Sequence, residues 1–500
     1  MMADYDVVVI GAGNGGLSAG AILSRHGRKV LVLEQSPRVG GCCSTFEKEG
    51  YHFDVGASIV EVIYPIELAF KLCGTSFQEE CDLIPCDPIY SYIFRDGSRV
   101  NYPQSIEETC RVLTDIDARD GRRWMECADF FRELLKQTIQ AFFTSPANTF
   151  GDMIKMLARN PKILKFLPLF FTSYQDVIEK FFHNDIVKQT MAFQSFYCGL
   201  PPELAPGFIA LIPYSEHEGI YYPRGGMISI PQAFQRVGEK LGMEVRLNTR
   251  VDRVMVEKGG ARGVVLADGT EITSKVVVSN VNAKKLYLDM IGEDELPWLA
   301  AYGIKSYEVS MSCPMVYVGI DYVPPLEAHH SLTIGPLELM NEFWYEMFLP
   351  GILPPEPFGL ICWPTESDSS LAPEGHHVLN IMSLGSYRLK DQDWDDVKPE
   401  YIERLLDFHS SFSIPGLKDH VKVVDCATPL DFERQLLSPQ GAIYGLQMDL
   451  PAQAMFRPSA KSKSIKHLYL TGASTHPGGG VPSVIASGVI ASGLIDKYEQ

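Results

Sequence analysis

The chain is short of positive charge: 44 lysines and arginines stand against 62 aspartates and glutamates, a net charge of -18 over 500 residues. Such a chain repels nucleic acid, so no nucleic-acid partner is expected. The 11 cysteines include no Cys-x-x-Cys pair. This argues against a disulfide framework or a structural zinc site and leads to the expectation of reduced thiols in the cytoplasm. Nowhere do about 18 apolar residues run together, which argues against a membrane-spanning helix. An export signal is not expected either. Asp4 and Asp6 stand where one needs positive charge, and the apolar run Val7-Val8-Val9-Ile10 stops at Gly11. The pairs His329-His330 and His376-His377 lack an i, i+4 partner or a carboxylate cluster; they read as exposed loop residues, and no metal is expected. The composition is otherwise that of a globular protein, 46% hydrophobic and 21% charged, and too long for one core.

The first thirty-five residues carry the strongest signal. Val7 to Ile10 is a β-branched run, the pattern of a strand buried on both faces. It leads into Gly11-Ala-Gly13-Asn-Gly15-Gly16, then a helical stretch from Leu17 to His26, then a second strand, Val30 to Leu33, that ends at Glu34. Strand, glycine turn, helix, strand and terminal acid within roughly thirty residues form a complete dinucleotide-binding unit. Gly11 permits the tight turn, Gly13 lets the backbone approach a pyrophosphate, and Gly16 lets helix and strand pack closely. The helix N-terminus offers free N–H groups to the phosphates, and Glu34 is placed to accept from the ribose hydroxyls.

Later segments favour FAD over NAD. After Glu34 come Arg38-Val-Gly40-Gly41 and Cys42-Cys43-Ser-Thr45-Phe46, a second glycine pair suited to close backbone approach. Tyr222-Pro-Arg224-Gly-Gly-Met227 opens a helix from Ile230 to Leu241. Strands with Gly turns follow to Val278 and read as an inserted β-meander, with Val251 a backbone partner for the adenine. Near the C-terminus, Leu468 to Leu470 leads into Thr471-Gly472-Ala-Ser-Thr-His476-Pro-Gly-Gly479-Gly-Val481-Pro482 and a helix of small and apolar residues. Pro482 suits a first helical turn. N–H groups there are positioned to stabilise negative charge on a reduced flavin ring, held between Gly40–Cys43 and Gly479–Pro482.

These motifs together resemble the phytoene desaturase-like flavoproteins, which include bacterial phytoene desaturases, carotene isomerases and retinol saturases. Ala427-Thr-Pro429 and Gly441-Ala-Ile-Tyr444-Gly445 are similar to theirs as well. Where the desaturases usually carry arginine after the glycine pair, this chain has Cys42-Cys43, closer to the saturase and isomerase branch; small buried packing residues are the competing reading of that pair. The resemblance implies non-covalent FAD, a lipophilic polyene substrate (carotenoid, retinoid or related isoprenoid) and NAD(P)H as a possible transient reductant. Two alternatives stay open: an amine oxidase-like flavoenzyme, although Gly472 to His476 lacks the acidic residue usual there, and a non-enzymatic binder of the GDP-dissociation-inhibitor type.

The expected fold is α/β. A doubly wound FAD domain with an inserted meander is built from 1–65, 220–285 and 440–500. The second domain, of 66–219 and 286–439, combines a mostly helical lobe with a mixed sheet that includes Val309–Met311, Met315–Ile320, Gly359–Trp363 and Val378–Met382. Phe343, Trp344 and Tyr345 read as core more readily than as cavity lining. The stretch 153–171 carries Lys155, Arg159, Lys162 and Lys165, no acid, and many apolar residues. It reads either as a helix packed on the flavin domain or as a peripheral membrane contact, and lipophilic substrates favour the second. Hydride exchange at flavin N5 needs a dry tunnel and a proton donor. The candidates are His476, Tyr222, Arg224 (as a charge) and Ser215-Glu216-His217-Glu218.

Overall fold

The computed structural model of the protein describes residues 3–146, 151, 154, 158, 161–447 and 457–499. Tyr5–Ile10 (β1), Asn14–Arg25 (α1) and Val30–Leu33 (β2) form the expected first unit. Alternate side chains of both strands feed two cores. Val7, Val9, Val30 and Val32 face the helices, while Val8, Ile10, Leu31 and Leu33 face Val254 and Leu286 on the other side. Every position is apolar because both faces are covered, and each full burial contributes about 1.5–3 kcal/mol. A charge at Val8 would therefore break the centre of the sheet.

The parallel part of this sheet runs Glu244–Arg246, β2, β1, Glu271–Ser279 and Leu468–Leu470. One strand serves two structures. The C-terminal half of Glu271–Ser279 pairs in parallel with β1, and its N-terminal half pairs antiparallel with Gly260–Leu266, which in turn pairs with Val251–Glu257. This is the meander expected from the Gly turns. The C-terminal helix, Val481–Tyr498, lies so close on α1 that a methyl at Gly488 would sit 2.1 Å from Ser18 Oγ.

A second seven-stranded sheet is ordered Val421–Ala427, Met315–Ile320, His377–Ser383, Gly359–Cys362, His330–Thr333, Tyr90–Ile93, Arg99–Tyr102. It is mixed, because His330–Thr333 pairs in parallel with Tyr90–Ile93 while the other pairs are antiparallel. Two expectations need correction here. The 66–219 region is not only helical, since Tyr90–Ile93 and Arg99–Tyr102 complete the sheet; their tyrosines and Ile93 are buried and pair across the strands. Val309–Met311 is not a strand but makes one isolated bridge, Val309 to Leu446.

The histidine pairs are also placed differently from the expectation. His329 and His330 are buried, and His330 Nε2 lies 3.1 Å from the Ser58 carbonyl. His377 opens a strand, and His376 meets the Tyr51 hydroxyl. The imidazoles are tolerated inside because burial holds them neutral. Phe343 and Trp344 are core residues, whereas Tyr345 is exposed. Ala118–Thr144 is a long helix whose N-terminus is capped by Asp117 Oδ1, accepting from Arg119 N at 2.8 Å. Among the described residues no helix is long and apolar enough to cross a membrane, and no group of three His, Cys, Asp or Glu is placed to hold a metal.

Candidate active site

A cavity of about 720 Å³ opens at the C-terminal ends of β1 and β2, where an open α/β sheet receives its ligand. Gly11 and Gly13 line it, with Glu34, Arg38 and Val251 beside them. Gly16 does not line it. A methyl there would lie 2.2 Å from the Gly11 carbonyl oxygen, so Gly16 sets the close fit of helix on turn. Glu34 is held by two backbone donors, Ala12 N to Oε2 at 2.8 Å and Ser36 N to Oε1 at 2.9 Å. Its burial raises its pKa, and the two N–H groups oppose that rise. The first turn of α1 has no side-chain cap and no acid, so its N–H groups face the cavity uncompensated.

Gly40, Gly41 and Cys42 line the next part of the cavity. Gly40 N donates to the Ala12 carbonyl at 2.8 Å, tying this turn to the first. Gly41 has φ +58, and a methyl added there would meet nothing within 4 Å, which leaves room for a ligand over the turn. Gly472, Gly479, Val481 and Pro482 line the opposite wall. The helix that begins at Val481 has no side-chain cap and no acid in its first turn. Two uncapped helix N-termini, a carboxylate at the end of β2 and an open space over Gly41 fit the phosphates, ribose and ring of a flavin dinucleotide.

His476 lines the cavity, but its Nε2 donates to the Phe142 carbonyl at 2.7 Å. Burial and the charge of Arg457 hold its pKa down, at about 4. It is a neutral tie between the flavin loop and the long helix. Tyr222 and Arg224 stand off the cavity wall, contrary to expectation. The buried Tyr222 hydroxyl donates to Asp54 Oδ2 at 2.6 Å, and Arg224 is exposed with Nε 2.7 Å from Asp82 Oδ2. The glycine turn they lead into instead docks through Asp54 on Thr45, just after Gly40–Cys43, and Cys43 Sγ reaches the Met227 carbonyl at 3.3 Å. The Asp54 carboxylate accepts from Thr45 Oγ1 at 2.6 Å and from Met227 N at 2.9 Å.

Sequence reasoning missed several residues. Asn280 ends the strand Glu271–Ser279, and its amide packs 2.5–2.7 Å from where methyls on Gly13, Gly15 and Gly472 would stand, joining three chain segments. Arg457 Nη1 donates to the Ala473 carbonyl at 2.6 Å, and burial brings its pKa down to about 10. Glu61 lines the cavity, and its Oε2 is buried without a partner. A polar residue three places before a helix that starts at Tyr64 gave no periodic signal.

The far wall is apolar. Phe142 and Phe143 come from the long helix, and Ile163, Phe166, Leu169 and Phe170 from the segment 161–170. Met315, Leu360 and Met382 of the second sheet form the floor. This corrects the expected outward orientation of the 153–171 stretch. Phe166 and Leu169 turn inward, while Leu164 (50% exposed) and Phe171 (87% exposed) remain outside. Met153, Lys155 and Arg159, and the side chain of Lys162, lie outside the described residues. Lys165 is half exposed, 3.9 Å from Glu133.

A dinucleotide cradle that opens directly into an apolar chamber defines an FAD-dependent oxidoreductase. Comparison with known proteins gives its family. Residues 15–496 match the flavin containing amine oxidoreductase family, and the chain belongs to it. Its relatives there include the lycopene-forming phytoene desaturase of Pantoea ananas, 30% identical over 97% of this chain and 98% of that one. The 4,4'-diapolycopene oxygenase of Methylomonas sp is 27% identical over 96% of each chain. The chain is thus a phytoene desaturase-like flavoenzyme. Solved structures share the fold: an oxidoreductase of Methanosarcina mazei (TM-score 0.63, 16% identity, 99% and 100% coverage) and putrescine oxidase with bound putrescine (TM-score 0.65, 15% identity, 99% of each chain).

Proposed function

We propose that this enzyme acts on the C=C bonds of a lipophilic polyene (a carotenoid, retinoid or related isoprenoid) by saturation, isomerisation or desaturation. The observation that carries the reading is the single cavity that joins the glycine cradle to a wall of Phe142, Phe143, Phe166, Leu169 and Phe170. An apolar chamber of this kind excludes water and suits a substrate with no polar groups to recognise. The bound FAD supplies two-electron hydride exchange at N5. The chain's own part is to hold FAD and to align the polyene against it. Gly11–Gly16 and Glu34 bind the pyrophosphate and ribose, and Arg38, Gly40–Cys42, Val251, Gly472 and Gly479–Pro482 hold the rest.

FAD is held non-covalently. Burial pushes the Cys42 thiol up to about 11 and Cys43 higher still, so neither offers the thiolate that attachment needs. NAD(P)H serves as transient reductant in the saturating direction. The segments 1–65, 220–285 and 440–500 form the flavin domain, and 66–219 with 286–439 the substrate domain. The protein is cytoplasmic and meets the membrane surface through 153–171, of which Ile163, Phe166, Leu169 and Phe170 line the apolar chamber.

The test is incubation of flavin-loaded protein with carotenoids and retinoids, aerobically and under anaerobic reduction, with products separated by chromatography. A polyene changed in bond number or geometry supports the reading. Turnover of putrescine with no polyene product overturns it.

A further inference from the structure

The Gly40–Cys43 turn passes its order to a second segment along the cavity. Ala57 N donates to the Cys42 carbonyl at 3.0 Å, and residues 55–59 line the cavity from there. Val60 then pairs with Tyr221 through Val60 N to Tyr221 O at 3.1 Å and Tyr221 N to Val60 O at 2.9 Å. Glu61 follows this bridge, four residues beyond Ala57 and so at most about 14 Å along the chain from it. Its carboxyl group is at the cavity wall, with Oε2 buried and unpartnered.

A buried polar cluster stands behind it. Glu216, at the end of the helix Leu211–Glu216, is buried within electrostatic reach of Glu61 and close to Tyr90. Its Oε2 accepts from Gln194 Nε2 at 3.3 Å, and its Oε1 has no partner. The Tyr90 and Tyr197 hydroxyls are 2.6 Å apart, and Tyr197 itself lines the cavity. Tyr444 borders Glu61 on the flavin side, packed so closely on the C-terminal loop that a methyl at Gly479 would lie 2.9 Å from its Cβ. His330 lies on the other side, bonded to the Ser58 carbonyl and 5.9 Å ring to ring from Tyr90. Among the described residues neither carboxylate forms an ion pair. Two interacting carboxyl groups in an apolar wall do not both ionise readily, so at least one is held protonated.

We propose that Glu61 is the acid–base catalytic residue of this site, exchanging a proton with the polyene, and that Glu216, Tyr90 and Tyr197 form the relay behind it. This rests on the polyene reading above. Making or removing a C=C bond moves one hydrogen with its electron pair, which is the flavin's share, and one as a bare proton. In saturation the Glu61 O–H bond breaks as a C–H bond forms on the neighbouring carbon, and the π pair is consumed. In desaturation that C–H bond breaks, its pair becomes the new π bond, and the proton passes to the Glu61 carboxylate. Burial lifts the Glu61 pKa to about 7 and that of Glu216 well above its usual range, the region in which an acid–base group works in both directions.

The test uses flavin-loaded protein. Infrared spectra recorded against pH should show a protonated carboxyl band that titrates near neutrality and is missing in Glu61→Gln. The same variant should keep the flavin spectrum and lose on the order of 100-fold or more of polyene turnover. Glu216 is held protonated and Gln is its neutral isostere, so Glu216→Gln should leave the inflection near neutrality, and Glu61→Asp should recover part of the rate. Wild-type rate and pH profile in Glu61→Gln would overturn the role of Glu61. If Glu61→Gln does not fold, the wild-type and Glu216→Gln spectra decide, and absence of a carboxyl band titrating near neutrality overturns the proposal. A wild type that converts no polyene is a separate result and sinks the substrate reading instead.

Discussion

Tyr222 donates its hydroxyl to Asp54 Oδ2 at 2.6 Å across 168 residues of chain. That contact, with those of Thr45 and Met227 on the same carboxylate, clamps the Gly225–Gly226 turn onto the strand Thr45–Lys48 that follows the Gly40–Cys43 turn. Among the described residues no cation pairs with Asp54, and burial raises its pKa. Its solvation therefore comes from the three donors. We expect Tyr222→Phe to cost about 1–3 kcal/mol, since it leaves a buried acceptor short of a donor. Thermal denaturation of the flavin-loaded protein should show the loss with the flavin spectrum retained. If the melting temperature does not move, the clamp is not what holds the turn and the strand together.

Two glycine substitutions should separate packing from ligand space. Gly16→Ala drives a methyl to 2.2 Å from the Gly11 carbonyl, so we expect little folded, flavin-bearing protein. Gly41→Ala meets no protein atom within 4 Å but adopts positive φ, a cost of about 1–2 kcal/mol. If flavin occupies the space over Gly41, this variant should fold yet bind FAD at least tenfold more weakly. Unchanged FAD affinity in a titration would place the ring elsewhere.

Stability should fall on both sides of mildly acidic pH, for opposite reasons. Burial lowers the folded-state pKa values of His330 and His476 to about 4 from an ordinary 6.5. Their contribution is present above 6.5 and lost as pH falls through 4, worth up to about 3 kcal/mol each. Glu61 has the reverse sign. Its folded value of about 7 exceeds the ordinary 4.5, so its contribution is full below 4.5 and lost as pH rises through 7. Urea midpoints measured from pH 4 to 8 should show both limbs. Because the Glu61 window overlaps that of the histidines with opposite sign, Glu61→Gln should steepen the rise in stability between about pH 4.5 and 6.5 and flatten the fall toward 7; a profile unchanged in that variant contradicts the assignment.

Membrane contact should depend on the charges of 153–171 and on the exposed Phe171, and not on the inward-facing Phe166. Replacing Lys155, Arg159, Lys162 and Lys165 with glutamate should abolish salt-sensitive sedimentation with anionic vesicles while flavin absorbance stays. Phe171→Ala removes one exposed ring and should weaken binding about tenfold or more. Phe166→Ala, which opens the cavity wall, should lower stability by about 3–5 kcal/mol instead. Equal vesicle binding by wild type and the charge-reversed variant would leave the stretch as cavity wall only.

The flavin cradle was legible because its information is local. A tight turn, a helix N-terminus and the acid that ends β2 all fall within one short unit, so Gly11, Gly13, Gly16 and Glu34 could be read from spacing. The C-terminal loop was equally plain, since only glycine suits Gly472 and Gly480 at positive φ. Of the proton relay only Glu216 was named from the sequence, and Glu61 was not. Tyr222 and Arg224 flank a recognisable turn, yet chain distance says nothing of which side of that turn the cavity occupies. Glu61 and Asn280 act through neighbours brought from far along the chain. Periodicity showed that 161–170 has an apolar face, but an apolar face looks the same whether it meets lipid or a cavity. The buried His329 and His330 were missed because neutral imidazole in a strand leaves no pattern.

The cradle is closed by a contact, Ser18 Oγ to the Ile485 carbonyl, that spans 467 residues. At a synthesis rate of about 5–20 residues per second, the first half of the site leaves the ribosome roughly 20–90 s before the second exists. For the first half of that interval β1 and β2 lack their outer parallel neighbours, Glu271–Ser279 and Glu244–Arg246, and present unpaired apolar edges that invite association with other nascent chains. FAD capture is therefore an event of the finished chain. Yield in cells should depend on holdase chaperones early and on flavin supply late, two requirements separated in time by the order of the sequence.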